Sequence, residues 1–446
     1  MVSRRSFLGT VVAALSVGVA GCQSGSNETP TGSPTPVPTD SATRSAARTP
    51  TPTERETTTG TPSATPTETP TPEPETPSPT PTPRVQGSAE DVVFDEFVTA
   101  VDGHLSVGGE RTYFNGGNHP QVARLDRGAT PGQWLSEWAE LVPSLNVMRV
   151  PAFGVGEESL LQPFAGIYNP DAFRYLDEVV YRFGASGIRL VMPLTNYWDW
   201  WGGIPRYVEE SSTASTKGDF YTDDQCQEWY RDFVSKLLER ENSITGVKYR
   251  NDPTIMAWEL ANEPRVGDAE YEDYRNWVVD SAEHVKSIDD NHLVSTGMEG
   301  FYSHDGMVGH SDTRYVKTHQ VDPIDVCSFH LYPESWGISY DQGAKWIQKH
   351  TRDAHEKVGK PTIFGEFGVP ITRGARDTDE KMKTRNETYQ MWYQAMIDAG
   401  TDAGMVWDLR TDRHYTSTTW DSHAVYPRDD ETVEVIETYT RQITGQ

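Results

Sequence analysis

Short runs of apolar residues alternate with longer amphipathic stretches through most of the chain, from about residue 97 onward. Eight of the short runs are rich in β-branched or aromatic residues and have the length of buried strands. These runs are Thr112–Gly116, Asn146–Val150, Ile188–Leu194, Ile255–Leu260, His292–Thr296, Asp325–Leu331, Thr362–Gly365 and Gly404–Leu409. The pattern therefore predicts eight strands joined by long connections.

The connections contain helical periodicity, for example in Gln225–Glu239 and Tyr271–Ile288. In the second of these, apolar residues recur at helical spacing at Tyr274, Trp277, Val278 and Val285. Eight alternating strands and helices favour a parallel sheet closed as a (β/α)8 TIM barrel, in the α/β class. An open doubly wound sheet is the alternative, but no glycine-rich dinucleotide or phosphate loop follows an early strand.

The segment Phe97–Phe114 precedes the first predicted barrel strand and alternates in a different way. It predicts a β-hairpin with Asp102-Gly103 as its turn, because this dipeptide tolerates the positive φ angles that tight hairpins need. We expect the hairpin to cap the bottom of the barrel. Residues 85–446 are then predicted to form a single domain large enough for an enzyme, and it contains all 13 tryptophans of the chain.

Residues 1–22 resemble an export signal rather than part of the fold. Arg4-Arg5 gives a twin-arginine pattern, and the apolar run that follows is shorter than the about 20 residues of a membrane-spanning helix. The run ends in Val19-Ala20-Gly21-Cys22, which resembles a lipobox, so we expect cleavage before Cys22 and its lipidation. An ordinary signal peptide with an incidental cysteine is the alternative.

Residues 23–84 consist almost entirely of Thr, Pro, Ser, Ala and Glu and lack aromatic residues. Such a segment cannot bury enough apolar surface to offset the entropy lost on ordering, so it is predicted to be a disordered linker. Together with a lipidated cysteine, it would hold the domain away from the outer face of the cell membrane.

Nearly all of the formal charge of −27 lies in the domain. This acidity argues against nucleic acid as a partner and resembles the surfaces of exported haloarchaeal proteins, which stay soluble in concentrated salt. Cys226 and Cys327 lack the spacing of a zinc site. We expect a monomer that needs no cofactor and touches a membrane only through its N-terminus.

Candidate chemistry lies at the ends of the predicted strands, where barrel enzymes assemble their active sites. The fourth strand runs into Asn262-Glu263 and the seventh ends at Glu366. Two carboxylates across a barrel mouth suit glycoside hydrolysis, since one protonates the leaving oxygen and the other attacks the sugar. Asparagine, histidine and arginine at other strand ends can bind hydroxyl groups, and tryptophan can stack on sugar rings.

Three motifs resemble glycoside hydrolase family 5, a group of retaining (β/α)8 enzymes: WELANEPR (258–265), FHLYP (329–333) and IFGEFG (363–368). Two further segments are similar to its endo-β-1,4-mannanase branch: NYWDWWGGIPRYV (196–208) and STGMEGFY (295–302). The resemblance extends over most of 93–440. It implies cleavage of internal β-1,4 bonds in mannan, glucomannan or galactomannan.

The resemblance implies that Glu263 is the general acid/base and Glu366 the nucleophile. Glu263 should then have the higher pKa of the two. It assigns the remaining site residues to substrate binding or to orienting these two acids: Arg149, Asn196, Trp198, Asn262, His330, Tyr332 and Trp407. Among them, Arg149 and Tyr332 would keep Glu366 ionised.

Three alternatives remain open at this stage. The same machinery could cleave β-1,4-glucan, because the two sugars differ only in the orientation of one hydroxyl. The chain could bind carbohydrate without turnover, although a binder has no need of both carboxylates. A metal-dependent hydrolase using His304, His310 or His330 is a third alternative, but these histidines show no metal-ligand spacing.

Overall fold

The computed structural model describes residues 87–125, 130–302, 312–373, 378–412 and 422–446. The predicted signal segment, its Cys22, the linker, His304 and His310 lie outside these residues and remain predictions. None of the helices that are described has both the length and the apolarity needed to cross a bilayer.

Eight parallel strands form the centre of the domain, as predicted. In chain order they are β4 (Phe114–Asn118), β5 (Val147–Arg149), β6 (Arg189–Pro193), β7 (Ile255–Glu259), β8 (Leu293–Ser295), β9 (Cys327–Leu331), β10 (Thr362–Phe367) and β11 (Ala403–Val406). Each strand pairs with its neighbours in the order β8-β7-β6-β5-β4-β11-β10-β9. A parallel bridge between Ser295 and Val326 joins the two ends of this sheet and closes the barrel.

Helices follow the strands and cover the outside of the barrel. They are α1 (Pro131–Trp138), α2 (Pro170–Ala185), α3 (Gly203–Glu210), α4 (Asp224–Leu238), α5 (Tyr271–Ile288), α6 (Tyr315–His319), α7 (Pro333–Trp336), α8 (Tyr340–Asp353), α9 (Thr378–Ala399) and α10 (Asp430–Thr444). The predicted helix at Tyr271–Ile288 has these bounds in the structure, and its periodic apolar residues are buried. The prediction of a (β/α)8 barrel is confirmed.

Local signals in the sequence explain where individual helices begin. Helix α2 has Pro170 in its first turn, and the Asn169 side chain accepts hydrogen bonds from the backbone N–H groups of Asp171 and Ala172. The proline has no N–H to leave unsatisfied, and the asparagine satisfies two of the free donors of the first turn. The sequence Asn-Pro-Asp thus defines this helix start.

The predicted hairpin is present and has a third short strand. It consists of β1 (Val98–Val101), β2 (His104–Val107) and β3 (Glu110–Arg111). Asp102 and Gly103 form its turn with φ angles of 50° and 77°, the positive values expected for this dipeptide. Val98 and Leu105 pack against residues at the N-terminal ends of the barrel strands, among them Val147, Leu293 and Ala403. The hairpin therefore closes the bottom of the barrel with apolar side chains.

Candidate active site

The predicted site residues converge at the C-terminal ends of the strands. Arg149 ends β5, His330 lies near the end of β9, and Glu366 lies in β10. Glu366 pairs with His330 in the register between their strands, and a bridge pairs Asn196 with Asn262. One carboxylate oxygen of Glu263, one of Glu366 and a ring nitrogen of His330 lie within 4.8 Å of one another. The two acids therefore share one site.

Glu366 is held by two hydrogen-bond donors on its two oxygens. The Arg149 Nη1 donates to Oε1 at 2.6 Å, and the Tyr332 hydroxyl donates to Oε2 at 2.5 Å. Both contacts favour the ionised carboxylate and fix its direction. These are the roles that the family resemblance implies for Arg149 and Tyr332.

Arg149 is buried and connects several strand ends. Its Nε donates to Glu259 at 2.7 Å, and its Nη2 donates to the side-chain oxygen of Asn262 at 2.8 Å. Burial lowers the pKa of Arg149, but the charges of Glu259 and Glu366 more than compensate and leave the pKa raised. The guanidinium is therefore a fixed positive charge that orients Glu366 and Asn262 together.

Glu263 has an unusual backbone conformation, with a φ angle of 50°. A non-glycine residue in the left-handed region costs free energy, and such residues cluster at functional sites. Its N–H donates to the carbonyl oxygen of Gly297 at 2.8 Å, which holds this conformation. The side chain accepts from Trp198 Nε1 at 2.5 Å and contacts His330 Nδ1 at 2.8 Å.

The electrostatics of the unliganded site correct one prediction. Burial raises the pKa of Glu263, but the hydrogen bond and charge of His330, with the Trp198 N–H, outweigh it and leave that pKa below its usual value. Burial also raises the pKa of Glu366; His330 and Arg149 oppose this, and the charge of Glu263 reinforces it, so that the pKa stays above its usual value. The prediction that Glu263 has the higher pKa is therefore wrong for the unliganded site.

The physical reason is the position of His330, which is fully buried between the two acids. Its Nδ1 lies 2.8 Å from Glu263 and 3.6 Å from Glu366. Burial lowers the pKa of His330, but Glu366 and the hydrogen bond to Glu263 raise it overall. The lowered pKa of Glu263 and the raised pKa of His330 both favour the proton on the His330 side of their hydrogen bond, whereas sequence reasoning placed it on Glu263.

A second ion pair lies on the other side of Glu263. Arg265 donates to both oxygens of Glu299 at 2.7 Å, and its guanidinium lies 4.6 Å from the centre of a Trp198 ring. Burial and the charge of Glu263 raise the pKa of Glu299 to about 8, against the opposing effect of Arg265. The site therefore contains more acidic groups than fixed positive charges and retains protons near neutral pH.

The asparagines of the site are buried, whereas its tryptophans are partly exposed. Asn196 is fully buried, accepts from the Asn262 side chain at 3.0 Å and donates to the Trp200 carbonyl oxygen at 3.0 Å, so it positions other residues. Trp198 and Trp407 are half-buried. The ring centres of Trp407 and Trp200 lie 6.4 Å apart, and the two indoles form an apolar surface on which a sugar ring can stack.

Sequence reasoning missed several residues of this network. Glu259, Arg265 and Glu299 received no role, although Glu259 and Arg265 lie inside a motif that carried the family resemblance. Asn118 was also missed, and its side-chain oxygen accepts from Arg149 at 3.4 Å. The position of Glu259 inside a predicted buried strand could have indicated its role, because a buried acidic residue requires a partner of opposite charge.

Comparisons with known proteins agree with this geometry. Residues 96–408 match the family model described as glycoside hydrolase family 5 β-mannosidase-like. The chain is 33% identical over 336 residues to mannan endo-1,4-β-mannosidase 1 of Solanum lycopersicum, covering 70% of this chain and 83% of that protein. It is also 33% identical over 292 residues to mannan endo-1,4-β-mannosidase 1 of Arabidopsis thaliana, covering 60% of this chain and 70% of that protein.

Solved structures give the same result. An endo-1,4-β-D-mannanase from Thermotoga petrophila has 30% sequence identity and a TM-score of 0.66, with 74% of this chain and 99% of that chain covered. The endo-1,4-β-mannanase from Rhizomucor miehei has 26% identity and a TM-score of 0.67, with 78% and 100% covered. The family match, the barrel and the paired acids at its strand ends lead to one conclusion: this chain belongs to the β-mannosidase-like branch of glycoside hydrolase family 5.

Proposed function

We propose that the chain is a retaining endo-β-1,4-mannanase that cleaves internal bonds of mannan, glucomannan or galactomannan. The observation that carries the proposal is the separation of Glu263 and Glu366, whose facing oxygens lie within 4.8 Å. Retaining glycosidases have their two carboxyl groups about 5–5.5 Å apart, whereas inverting enzymes need about 6.5–9.5 Å to admit a water molecule. The names of the two plant relatives support mannan as the substrate.

In the first step, an oxygen of Glu366 forms a bond to the anomeric carbon as the glycosidic bond breaks. The proton in the hydrogen bond between Glu263 and His330 passes through Glu263 to the leaving oxygen, and a glycosyl ester with Glu366 results. In the second step, Glu263 takes a proton from water, the water oxygen bonds to the anomeric carbon, and Glu366 leaves as a carboxylate. Two inversions give net retention.

Arg149 has a defined part in both steps. Its hydrogen bonds to Glu366 and to Glu259 hold the attacking oxygen in place before the reaction. When Glu366 becomes a neutral ester, Glu259 still balances the buried guanidinium. When the ester breaks, the same guanidinium stabilises the departing carboxylate, which is electrostatic stabilisation by a preorganised group.

Asn262 and Trp407 are the proposed contacts of the reacting sugar. Among the described residues, Asn262 uses one amide hydrogen, toward Asn196, and its second hydrogen can donate to the sugar 2-hydroxyl. Trp407 supplies the stacking platform. Trp198 contacts a sugar ring on the side of Glu263, and its indole N–H keeps its hydrogen bond to that carboxylate.

Release of reducing sugar from galactomannan, glucomannan and carboxymethylcellulose, each in low and high salt, tests the substrate. We expect high activity on the two mannans, little on carboxymethylcellulose, and none with Glu366→Ala. Preference for carboxymethylcellulose would favour the β-1,4-glucanase alternative. Binding of mannan without turnover by the unaltered chain would favour the non-catalytic alternative.

Export and anchoring form a separate part of the proposal, supported by the sequence of residues 1–22. The enzyme leaves the cell by the twin-arginine route and is attached to the outer face of the membrane through lipidated Cys22. Mass spectrometry of the mature N-terminus tests this, and an unmodified residue there contradicts it. Size-exclusion chromatography with light scattering tests the expected monomer.

A further inference from the structure

A second cluster of polar side chains lies at the bottom of the barrel, at the end opposite the catalytic acids. It consists of His104, His355 and Asp402, whose donor atoms all lie within 4.8 Å of one another. Asp402 is fully buried, whereas His104 and His355 are 30% and 18% exposed in their side chains. Two imidazoles and a carboxylate are a ligand set suited to zinc and similar divalent transition metals.

The three residues come from separate parts of the chain. His104 begins β2 of the capping hairpin, and Asp402 directly precedes β11. His355 lies in Ala354–Val358, a π-helical turn that continues α8. Such turns are frequent at functional sites. A ligand held by all three would therefore join the hairpin to the barrel and to its outer layer of helices.

The distances fit a small bridging cation. His104 Nδ1 lies 3.0 Å from one oxygen of Asp402, and His355 Nε2 lies 2.8 Å from the other. Bonds of about 2.0–2.1 Å in a tetrahedral zinc site place neighbouring donor atoms about 3.3 Å apart. Shifts of a few tenths of an ångström thus bring each nitrogen to this spacing from Asp402. The two nitrogens lie within 4.8 Å of each other and can approach by rotation of the partly exposed imidazoles.

The surroundings of Asp402 are those of a supported ligand. The Thr362 N–H and hydroxyl donate to one of its oxygens at 3.0 and 3.1 Å, and so fix the carboxylate. Groups that orient the ligands are a regular feature of metal sites. Among the described residues, neither histidine side chain has a hydrogen-bond partner other than Asp402.

An entry path to the cluster is also present. A cavity of about 490 Å³ opens beside the cluster, and His104, His355, Asp322, Asp325 and Lys360 contribute to its lining. Lys286 neutralises Asp325 through an ion pair of 2.6 Å. Arg111 Nη2 lies 3.7 Å from Asp402, which opposes cation binding, but this side chain is 38% exposed and can move into solvent.

We propose that His104, His355 and Asp402 bind one divalent transition-metal ion of the zinc class, with water completing its coordination. The ion cross-links the capping hairpin to the base of the barrel and stabilises the fold without touching the catalytic acids. Binding replaces a proton between each histidine and Asp402, because the metal and the proton compete for the same nitrogen lone pair.

The test is calorimetric titration of the metal-stripped, tag-free full chain with zinc, repeated with cobalt to read the absorption spectrum of a histidine-ligated ion. Glu366→Ala is used in parallel, because Glu263, His330 and Glu366 form a second donor cluster. We expect one zinc ion to bind in both chains and to raise the urea midpoint of unfolding. The His104→Gln and His355→Gln variants should each weaken binding at least tenfold and lose the added stability.

The matched control is His284→Gln, because this histidine contacts Ser235 and Arg231 on the outside of the barrel, away from the cluster. It should bind zinc as the unaltered chain does. Arg111→Gln should tighten binding, since it removes a positive charge near the ion. Absence of zinc binding, or binding that both His104→Gln and His355→Gln retain, would overturn the proposal and leave the cluster as a set of hydrogen bonds.

Discussion

The two ends of this barrel use buried polar and apolar residues in opposite ways. At the C-terminal ends of the strands, the acids Glu263 and Glu366 lie close together, and Glu263 has a strained backbone. At the N-terminal ends, most strands begin with apolar residues, such as Val147, Leu293 and Ala403, which pack with Leu105 of the capping hairpin. The same eight strands thus carry the paired acids at one end and a mainly apolar layer at the other, with the cluster of His104, His355 and Asp402 beside that layer.

The difference shows how one fold separates activity from stability. Like charges in contact and residues in costly conformations reduce stability, and they persist only where the surrounding structure holds them. The opposite end provides part of that support because burial of its apolar side chains is favourable. Changes at the catalytic end should therefore reduce activity more than stability, and changes at the apolar end should reduce stability more than activity. The following predictions test this difference in order of decreasing effect.

Glu366→Ala should have the largest effect, at the catalytic end. General acid–base groups contribute about 10²–10⁴-fold to rates, and loss of the nucleophile removes the covalent step itself, so we expect kcat to fall by more than about 10⁴-fold. The free energy of unfolding should be unchanged or higher, because a repelling charge is removed. Glu356→Ala, at an exposed position, is the control and should keep full activity.

Azide sharpens this prediction, because the small anion can occupy the space left by Glu366→Ala. With an activated aryl mannoside, azide should restore turnover and give the α-mannosyl azide. Full activity of Glu366→Ala without azide would refute the assignment of the nucleophile.

Leu105→Ala, at the opposite end, should reduce stability and leave activity nearly unchanged. The side chain is fully buried. Removing buried leucine atoms costs about 2–5 kcal/mol of stability when the cavity cannot collapse. Urea denaturation should show this loss, while kcat of the folded enzyme stays within about twofold. A large fall in kcat with unchanged stability would contradict the separation of the two ends.

Arg149→Lys should affect the catalytic end next most strongly. Lysine keeps the charge but cannot donate to Glu259, Glu366 and Asn262 at the same time. Misplacement of a reacting group by about 1 Å costs about 10²-fold in rate, and we expect a fall in kcat of that order. Lys349→Arg is the control, because Lys349 lies near the C-terminal end of α8, away from the paired acids, and should keep full activity. Wild-type kcat in Arg149→Lys would show that the nucleophile needs only a nearby charge.

The pH profile should show the smallest change. Glu366 must be ionised to attack, and the charge of His330 opposes the raised pKa of this acid. His330→Gln removes that charge, so the pKa of Glu366 should rise and the acidic limb of kcat/KM should move to higher pH. His284→Gln should leave the profile in place. An acidic limb that stays fixed or moves to lower pH in His330→Gln would contradict this electrostatic account.

The sequence predicted the barrel well because each strand and helix has a strong local signal. The alternation of apolar runs located all eight strands within a few residues, and the helix at Tyr271–Ile288 follows directly from its periodicity. The Asp102-Gly103 turn was equally local. The third strand of the hairpin, Glu110–Arg111, was missed because two exposed residues carry no apolar pattern.

The site was predictable only in part. Strand-end position and the family motifs indicated the two acids. The pKa order and the roles of Glu259, Arg265 and Glu299 depend on contacts between residues far apart in sequence, such as Arg149 with Glu259. No local pattern encodes which buried charge meets which, and the burial of His330 between the acids became evident only in three dimensions.

The anomeric configuration of the first product tests the central claim most directly. Proton NMR of a manno-oligosaccharide during hydrolysis can follow the α- and β-anomers before they interconvert. Two acids this close should form a glycosyl-enzyme, so the β-anomer should appear first and the α-anomer later by mutarotation. Initial release of the α-anomer would mean direct attack by water and would contradict the paired roles of Glu263 and Glu366.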